Sequence, residues 1–270
     1  MIIVSIAGQK GGTGKTTTAT NLAAAIVNDG NKVLLIDADP QASLTLSLGI
    51  QQERERTLYS EYLREVSIEE DGDLDRAIVI TKSGLHLIPS STALAQTEQK
   101  LMCEYESETK LQRMIHKMKS NYDFVIIDCP PSPGMLLTNA LVASDYILIP
   151  LQAEYLPLKS ISGFMHCFEE AKSFNGSLDI IGFVFIKYDR RIVMSRNVLA
   201  EIENIFGDKV FSTRIRSNIQ LSRAQEAGLD IFKYDPTSHG ASDYGELAME
   251  FLSRIKKMNL CHTVQGAIEA

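Results

Sequence analysis

Lys10 to Thr16 reads KGGTGKT. A glycine-rich turn closing on Gly14-Lys15-Thr16 can do one kind of chemistry well. Its backbone N–H groups face phosphate oxygens, Lys15 reaches the β- and γ-phosphates of a nucleotide, and the Thr16 hydroxyl ligates Mg²⁺. The turn follows an apolar run, Ile2 to Ile6, and opens a helical pattern with Leu22, Ala23 and Ile26 on one face. That strand–loop–helix setting is the one in which a phosphate cradle works. The common spacing would put a first glycine at position 9, where this chain has Gln9, and a second lysine, Lys10, opens the loop.

Carboxylates follow at two strand ends. Asp37-Ala38-Asp39-Pro40-Gln41 closes one apolar run and Tyr122–Pro131, YDFVIIDCPP, closes another on Asp128. Ligands bind beyond the carboxyl ends of the strands in open parallel sheets, so both acids are placed to act. Asp128 is expected to hold Mg²⁺, through water, and the segment from Asp39 to Ser47 to respond to the γ-phosphate. Pro130 and Pro131 stiffen a second loop through Gly134. Near the C-terminus, Ile215–Ala224 reads IRSNIQLSRA. Asn218 there has an amide able to read an adenine edge, and it also suits a helix N-cap before Ile219.

These groups need a frame. Short β-branched runs alternate with helical stretches, which predicts a single α/β P-loop domain, a mostly parallel twisted sheet with helices on both faces. Strands are expected at Ile2–Ala7, Val33–Asp37, Leu85–Pro89, Phe124–Asp128, Tyr146–Pro150, Ile180–Ile186 and Val210–Thr213. Helices are expected at Lys15–Asn28, Thr57–Arg64, Thr109–Lys119, Ser160–Phe174, Arg196–Phe206 and Gly240–Lys257. The polar stretch Gln51–Gly72 reads as an excursion from the sheet. The domain is expected over residues 1–258, with a frayed, flexible tail over 259–270.

The 270 residues, 44% hydrophobic and 23% charged, are those of an ordinary globular protein. No apolar run approaches a membrane span, and no signal peptide is expected ahead of the first strand. Four scattered cysteines without a CxxC argue against zinc or an iron–sulfur cluster and suit a reducing cytoplasm. Net charge is −7, yet Lys187 to Arg223 carries eight basic against four acidic side chains. A basic face on an acidic protein can hold phosphates, although a solvated mixed-charge surface fits the count as well.

The KGGTGKT loop, the DADPQ string and the LSRA box together resemble the deviant Walker A family of ParA/MinD ATPases, over Ile2 to about Leu252. The resemblance includes Ile88–Ser91 and Pro150–Tyr155, is weakest over Gln51–Gly84, and is to the short form with no helix-turn-helix before the loop. It implies ATP and Mg²⁺ as ligands, held by Lys10, Gly11, Gly12, Thr13, Gly14, Lys15, Thr16 and Thr17, with Thr16 and Asp128 at the metal. It implies that Lys10 crosses a dimer interface to the partner's nucleotide, that Asp39 polarises the attacking water, and that Arg216 and Asn218 line the adenine. Arg216 stands where the family usually has proline, and Arg223 replaces a common glutamate. It further implies a homodimer in the ATP state that binds DNA without sequence preference through Arg190, Arg191, Arg214 and Arg216. That dimer is expected to be stimulated by a ParB-like partner, and to be cytoplasmic and nucleoid-associated while it positions a plasmid, chromosome or other cargo. The rival is a membrane-surface ATPase of the MinD type, using a stripe of Leu247, Phe251, Leu252, Ile255 and Leu260. A P-loop ligase or reductase subunit is disfavoured by the LSRA box and by the missing cluster cysteines.

Overall fold

The computed structural model describes residues 1–51, 54–67, 71–153 and 157–268, with the side chains of 157–160 and 259–268 excepted. Eight strands form one sheet: β1 Ile2–Ile6, β2 Val33–Asp37, β3 Val79–Ile80, β4 His86–Ile88, β5 Phe124–Asp128, β6 Tyr146–Gln152, β7 Asp179–Tyr188 and β8 Val210–Arg216. Their spatial order is β3-β4-β2-β5-β1-β6-β7-β8. Each neighbouring pair is parallel except β3 with β4. The helices are α1 Lys15–Asn28, α2 Ser43–Ser47, α3 Leu58–Glu65, α4 Ala95–Leu101, α5 Lys110–Lys117, α6 Met135–Val142, α7 Pro157–Phe174, α8 Val193–Phe206, α9 Ile219–Glu226, α10 Ile231–Tyr234 and α11 His239–Ile268.

Burial on both faces follows from the side-chain period of two along each strand. Leu34, Ile36, Val125 and Ile127 point to one face, under Tyr62 of α3, Met114 of α5, Leu137 of α6 and Phe164 of α7. Val33, Leu35, Phe124 and Ile126 point to the other, under Leu22 and Ile26 of α1 and Tyr244, Leu247 and Phe251 of α11. The expected three-layer α/β domain is thus the observed one.

Departures from expectation have physical reasons. Helix α6 was not expected, because Leu136, Leu137, Ala140, Leu141 and Val142 are buried around its circumference and leave no polar face to set a period. Strand β3 has only two residues. The Gln51–Gly72 stretch, expected as an excursion from the sheet, holds α3, whose Leu58 and Tyr62 enter the core, while residues 52, 53 and 68–70 lie outside those described. Helix α11 continues to Ile268 where a frayed tail was expected past Asn259. The side chains of that extension, Leu260 included, are outside those described, as are Glu154 and Tyr155.

Candidate nucleotide and metal site

The parallel register brings the reactive groups to one edge. Asp128 at the end of β5 pairs with Asp37 at the end of β2 and with Ile6 at the end of β1, where the phosphate loop begins. Gly14 takes a left-handed conformation, φ 71°, and caps α1 without a side-chain hydrogen bond, which leaves the first N–H groups of that helix for an anion. The positive φ favours glycine there, and a Cβ on Gly14 would lie 2.4 Å from Cδ1 of Ile186, so that side-chain tip would have to move. Gln152 of β6 donates to the Gly12 carbonyl at 2.7 Å and steadies the loop. Gln9, the departure from the common spacing, is turned away. Its amide packs on α7, where a Cβ at Gly163 would meet Oε1 at 2.2 Å, and its Nε2 donates to Cys167 Sγ at 3.8 Å.

Lys15 is buried. Its ammonium donates to the Lys10 carbonyl at 3.3 Å, and Thr13 Oγ1 donates to the same oxygen at 3.1 Å. Burial lowers the Lys15 pKa, and Asp128, Cys129 and Asp39 oppose the shift. Lys10 itself is exposed at the mouth of the loop. Thr16 Oγ1 donates to Asp128 Oδ2 at 2.7 Å. The other Asp128 oxygen, Oδ1, is buried with no hydrogen-bond partner among the described residues, and burial with the Asp37 charge beside it pushes this carboxyl well above the ordinary carboxylate range. A buried, unsatisfied carboxylate oxygen next to a helix-end hydroxyl is a hard oxygen donor set, and a Mg²⁺ ion fits it.

Asp37 is fully buried and its carboxyl is raised to about 7 by burial, against the donors around it. It receives Thr45 N at 2.8 Å, Thr45 Oγ1 at 2.7 Å and Asp39 N at 3.2 Å. Asp39 is partly exposed and its Oδ1 caps Gln41 N at 2.9 Å. Thr45, Ser90, Gln152 and Gln225 were given no role of their own from the sequence, although Thr45 lies in the Asp39–Ser47 segment, Ser90 in Ile88–Ser91 and Gln152 in Pro150–Tyr155.

The remaining predicted residues fall in two places. Thr17 Oγ1 accepts from Gln225 Nε2 of α9 at 2.9 Å. Asn218 caps α9, its Oδ1 accepting from Gln220 N at 2.8 Å, so the N-cap alternative holds. Arg190, Arg191, Arg214 and Arg216 all line one open groove of about 820 Å³ between the β7–α8 loop, β8 and the start of α11. Most of their charge is already engaged. Arg191 pairs with Asp189 at 2.7 Å, and its hydrogen bonds hold that carboxyl down at about 2. Arg214 pairs with Glu203 at 2.8 Å, lies 5.8 Å from the Phe185 ring centroid and has a side chain only 16% exposed. Burial lowers its pKa. Arg216 pairs with Asp243 through its guanidinium and its backbone N–H. Its side chain is thus committed to α11, which is compatible with a base contact made through its backbone alone.

A doubly wound sheet with this loop at its edge, a hydroxyl and a carboxylate beneath it and a buried lysine across it defines a P-loop ATPase. The sequence profile of a family described as an AAA domain matches residues 1–180. The sporulation initiation inhibitor protein Soj of Bacillus subtilis is 39% identical over 250 residues, covering 92% of this chain and 97% of its own. The chromosome partitioning protein ParA of Caulobacter vibrioides is 37% identical over 256 residues, covering 93% and 94%. Among solved structures, cobyrinic acid a,c-diamide synthase of Mycobacterium smegmatis, with an ATP analogue and magnesium bound, superposes with a TM-score of 0.82 at 31% identity over 95% of this chain and 96% of its own. The chain belongs to the Soj/ParA family of chromosome-partitioning ATPases, and its site fits ATP and Mg²⁺. Among the described residues, no helix is long and apolar enough to cross a membrane.

Proposed function

We propose that two copies of this chain close over two ATP molecules, that the closed pair holds DNA by its phosphates, and that hydrolysis, stimulated by a ParB-like partner, ends the contact. In this cycle Lys15 meets the β- and γ-phosphates and Thr16 and Asp128 hold Mg²⁺, which neutralises charge on the phosphate oxygens. Lys10 reaches the nucleotide of the other copy, and Asp39 orients the attacking water. The pair sits on the nucleoid while ATP lasts and positions its cargo from there.

One observation carries the DNA reading. Arginines separate in the sequence are gathered on one groove, and arginine forks suit phosphate oxygens in two directions. They are not equal. Arg191 is 85% exposed and paired only at the surface, so exchanging Asp189 for a phosphate is easy. Arg190 lies exposed beside it. Arg214 is held by packing, and withdrawing Arg216 would leave Asp243, 4% exposed, without its cation. The rim pair Arg190 and Arg191 is therefore the stronger assignment. The membrane-surface alternative has less to stand on: Leu247, Phe251 and Ile255 of the proposed stripe are buried in the core.

The test compares the parent, Lys10→Ala and a double Arg190→Glu/Arg191→Glu variant for binding to random-sequence DNA at low salt. ATP should be required for the parent. The arginine variant should bind at least tenfold more weakly with unchanged ATP affinity, and the lysine variant should bind ATP yet fail to dimerise in light scattering or to bind DNA. An arginine variant that retards DNA like the parent would make the groove a solvated face.

A further inference from the structure

The segment carrying Asp39 leaves the sheet after β2 and returns as α2. Its shape is held by the buried side chains of Asp37, Thr45 and Ser90. Asp37 Oδ1 accepts from the Asp39 N–H at 3.2 Å. The Asp39 carbonyl accepts from Ser90 Oγ at 2.7 Å and from Ala42 N at 2.8 Å. Ser90 N donates to Thr45 Oγ1 at 2.9 Å, and Thr45 Oγ1 donates onward to Asp37 Oδ2 at 2.7 Å. Asp37, Thr45 and Ser90 are each 0% exposed. The result is a closed ring of hydrogen bonds, Asp37–Thr45–Ser90–Asp39–Asp37, with the peptide of Asp39 gripped at both its N–H and its C=O.

We infer that Thr45 and Ser90 are positioning residues for hydrolysis: they fix the main chain at Asp39 so that its carboxylate stands at one place relative to the phosphate loop. Three features support this. The ring ties together two strand ends, β2 and the residue two past β4, that the sheet sets side by side. The Asp39 carboxylate stands outside the ring and accepts from Gln41 N through Oδ1, so the ring constrains the backbone and, among the described residues, leaves one carboxylate oxygen for other work. Thr45 also lies on α2, inside the segment between β2 and the core, so a shift of that helix is felt at Asp39 through two hydrogen bonds rather than through a flexible loop. A buried ring of this kind specifies one geometry, since each member left unpaired would be a desolvated polar group.

The inference rests on Asp39 as the water-orienting group, and the experiment separates the two. Single-turnover ATP hydrolysis, equilibrium affinity for a labelled ATP analogue and thermal unfolding are measured for Asp39→Ala, Ser90→Ala, Ser90→Thr, Thr45→Val and Thr45→Ser, and for Asp39→Ala combined with Ser90→Ala. The expected result is at least a tenfold loss of hydrolysis rate in Ser90→Ala and Thr45→Val with analogue affinity within about threefold of the parent. Ser90→Thr and Thr45→Ser, which keep the hydroxyl, should recover most of the rate, and Ser90→Ala should add no further loss on top of Asp39→Ala. A Ser90→Ala variant that hydrolyses within twofold of the parent, while Asp39→Ala is slow, overturns the positioning role and leaves Asp39 in place. Loss of rate and analogue affinity in parallel also overturns it, as does failure of the hydroxyl-retaining variants to recover. An Asp39→Ala variant as fast as the parent removes the reading on which the inference rests. If Thr45→Val melts too low to assay, Ser90→Ala decides alone.

Discussion

Asp128→Asn should stabilise the nucleotide-free protein and remove its response to Mg²⁺. Asp128 and Asp37 are register partners on adjacent parallel strands, about 5 Å apart at the backbone. Two carboxylate charges at a separation of that order repel by about 3 kcal/mol at an effective dielectric of 20. Lys15 returns part of this, so a neutral amide of the same shape should gain about 1–2 kcal/mol where the parent carboxylate is charged. The Thr16 hydroxyl keeps an acceptor in the asparagine oxygen, and the amide N–H groups that take the place of the unpartnered Oδ1 cost less when buried than the charge they replace. The sign with pH follows from the direction of the shifts. Both carboxyls are raised by burial, Asp37 to about 7, so the native state holds protons that the unfolded chain releases. Stability of the metal-free parent therefore falls as pH rises from about 4 through about 7, by up to about 1.4 kcal/mol per pH unit for each extra proton. Neutralising Asp128 flattens that slope, and the advantage of the variant should be small near pH 5 and largest near pH 8.

The assay is thermal unfolding in chelator from pH 5 to 8.5, repeated with a non-hydrolysable ATP analogue and Mg²⁺. At pH 8 the variant should melt about 2–8 °C above the parent. Adding Mg²⁺ with the analogue should raise the parent by mass action and move the variant little beyond what the analogue does alone. A variant that melts below the parent at pH 8, or a parent whose midpoint is flat from pH 5 to 8, would show that the strand-end carboxylates are not strained. Equal Mg²⁺ response in both would take Asp128 out of the metal site.

Two further outcomes test the loop and the groove. Gly14→Ala, with φ 71° and Ile186 in the way, should cost about 1–3 kcal/mol and at least tenfold in ATP-analogue affinity, whereas Gly12→Ala, at φ 75° but with open space around it, should cost about 1 kcal/mol; similar melting losses for both would refute the close approach at Gly14. Asp189→Asn should free Arg191, raise DNA affinity severalfold in the ATP state and steepen the salt slope by up to about 0.9; an unchanged slope in a retardation assay would mean that Arg191 gains no phosphate when its partner is lost.

Local signals were legible wherever a residue type and its neighbours fix the geometry between them. The phosphate loop was readable because glycines, lysine and threonine sit between an apolar run and a helical pattern, and β1 and α1 fall within a residue of expectation. Strand β5 was readable because four apolar residues run straight into Asp128. What the sequence hid depends on residues far apart along the chain. The acids that quench the arginines include Asp243, which lies beyond the basic stretch from Lys187 to Arg223. Ser90 lies 45 residues from Thr45, yet bonds to it, and only the order of β4 beside β2 makes them neighbours. Gln9 looked like a defect in the loop, because the space for it on α7 is made by Gly163, 154 positions on.

That same quenching bears on how ATP could control DNA. Arg191 and Arg216 each hold a carboxylate in this chain, so a single groove presents less free charge than its arginine count suggests, and phosphate contacts made one at a time by such a surface are weak and screened at physiological salt. Joining two grooves in one rigid body changes the arithmetic without adding a contact. The second set of phosphates is then met at the effective concentration set by the first, and the salt slope adds the contacts of both copies. On this view nucleotide need not reshape the arginines at all, because closing the pair over ATP is enough to convert two weak surfaces into one useful one. The consequence is specific: the Lys10→Ala variant, which retains every arginine, should bind DNA in ATP no better than the parent does without nucleotide. A lysine variant that stays monomeric in light scattering yet binds DNA like the ATP-bound parent would sink the idea and place the switch within each groove.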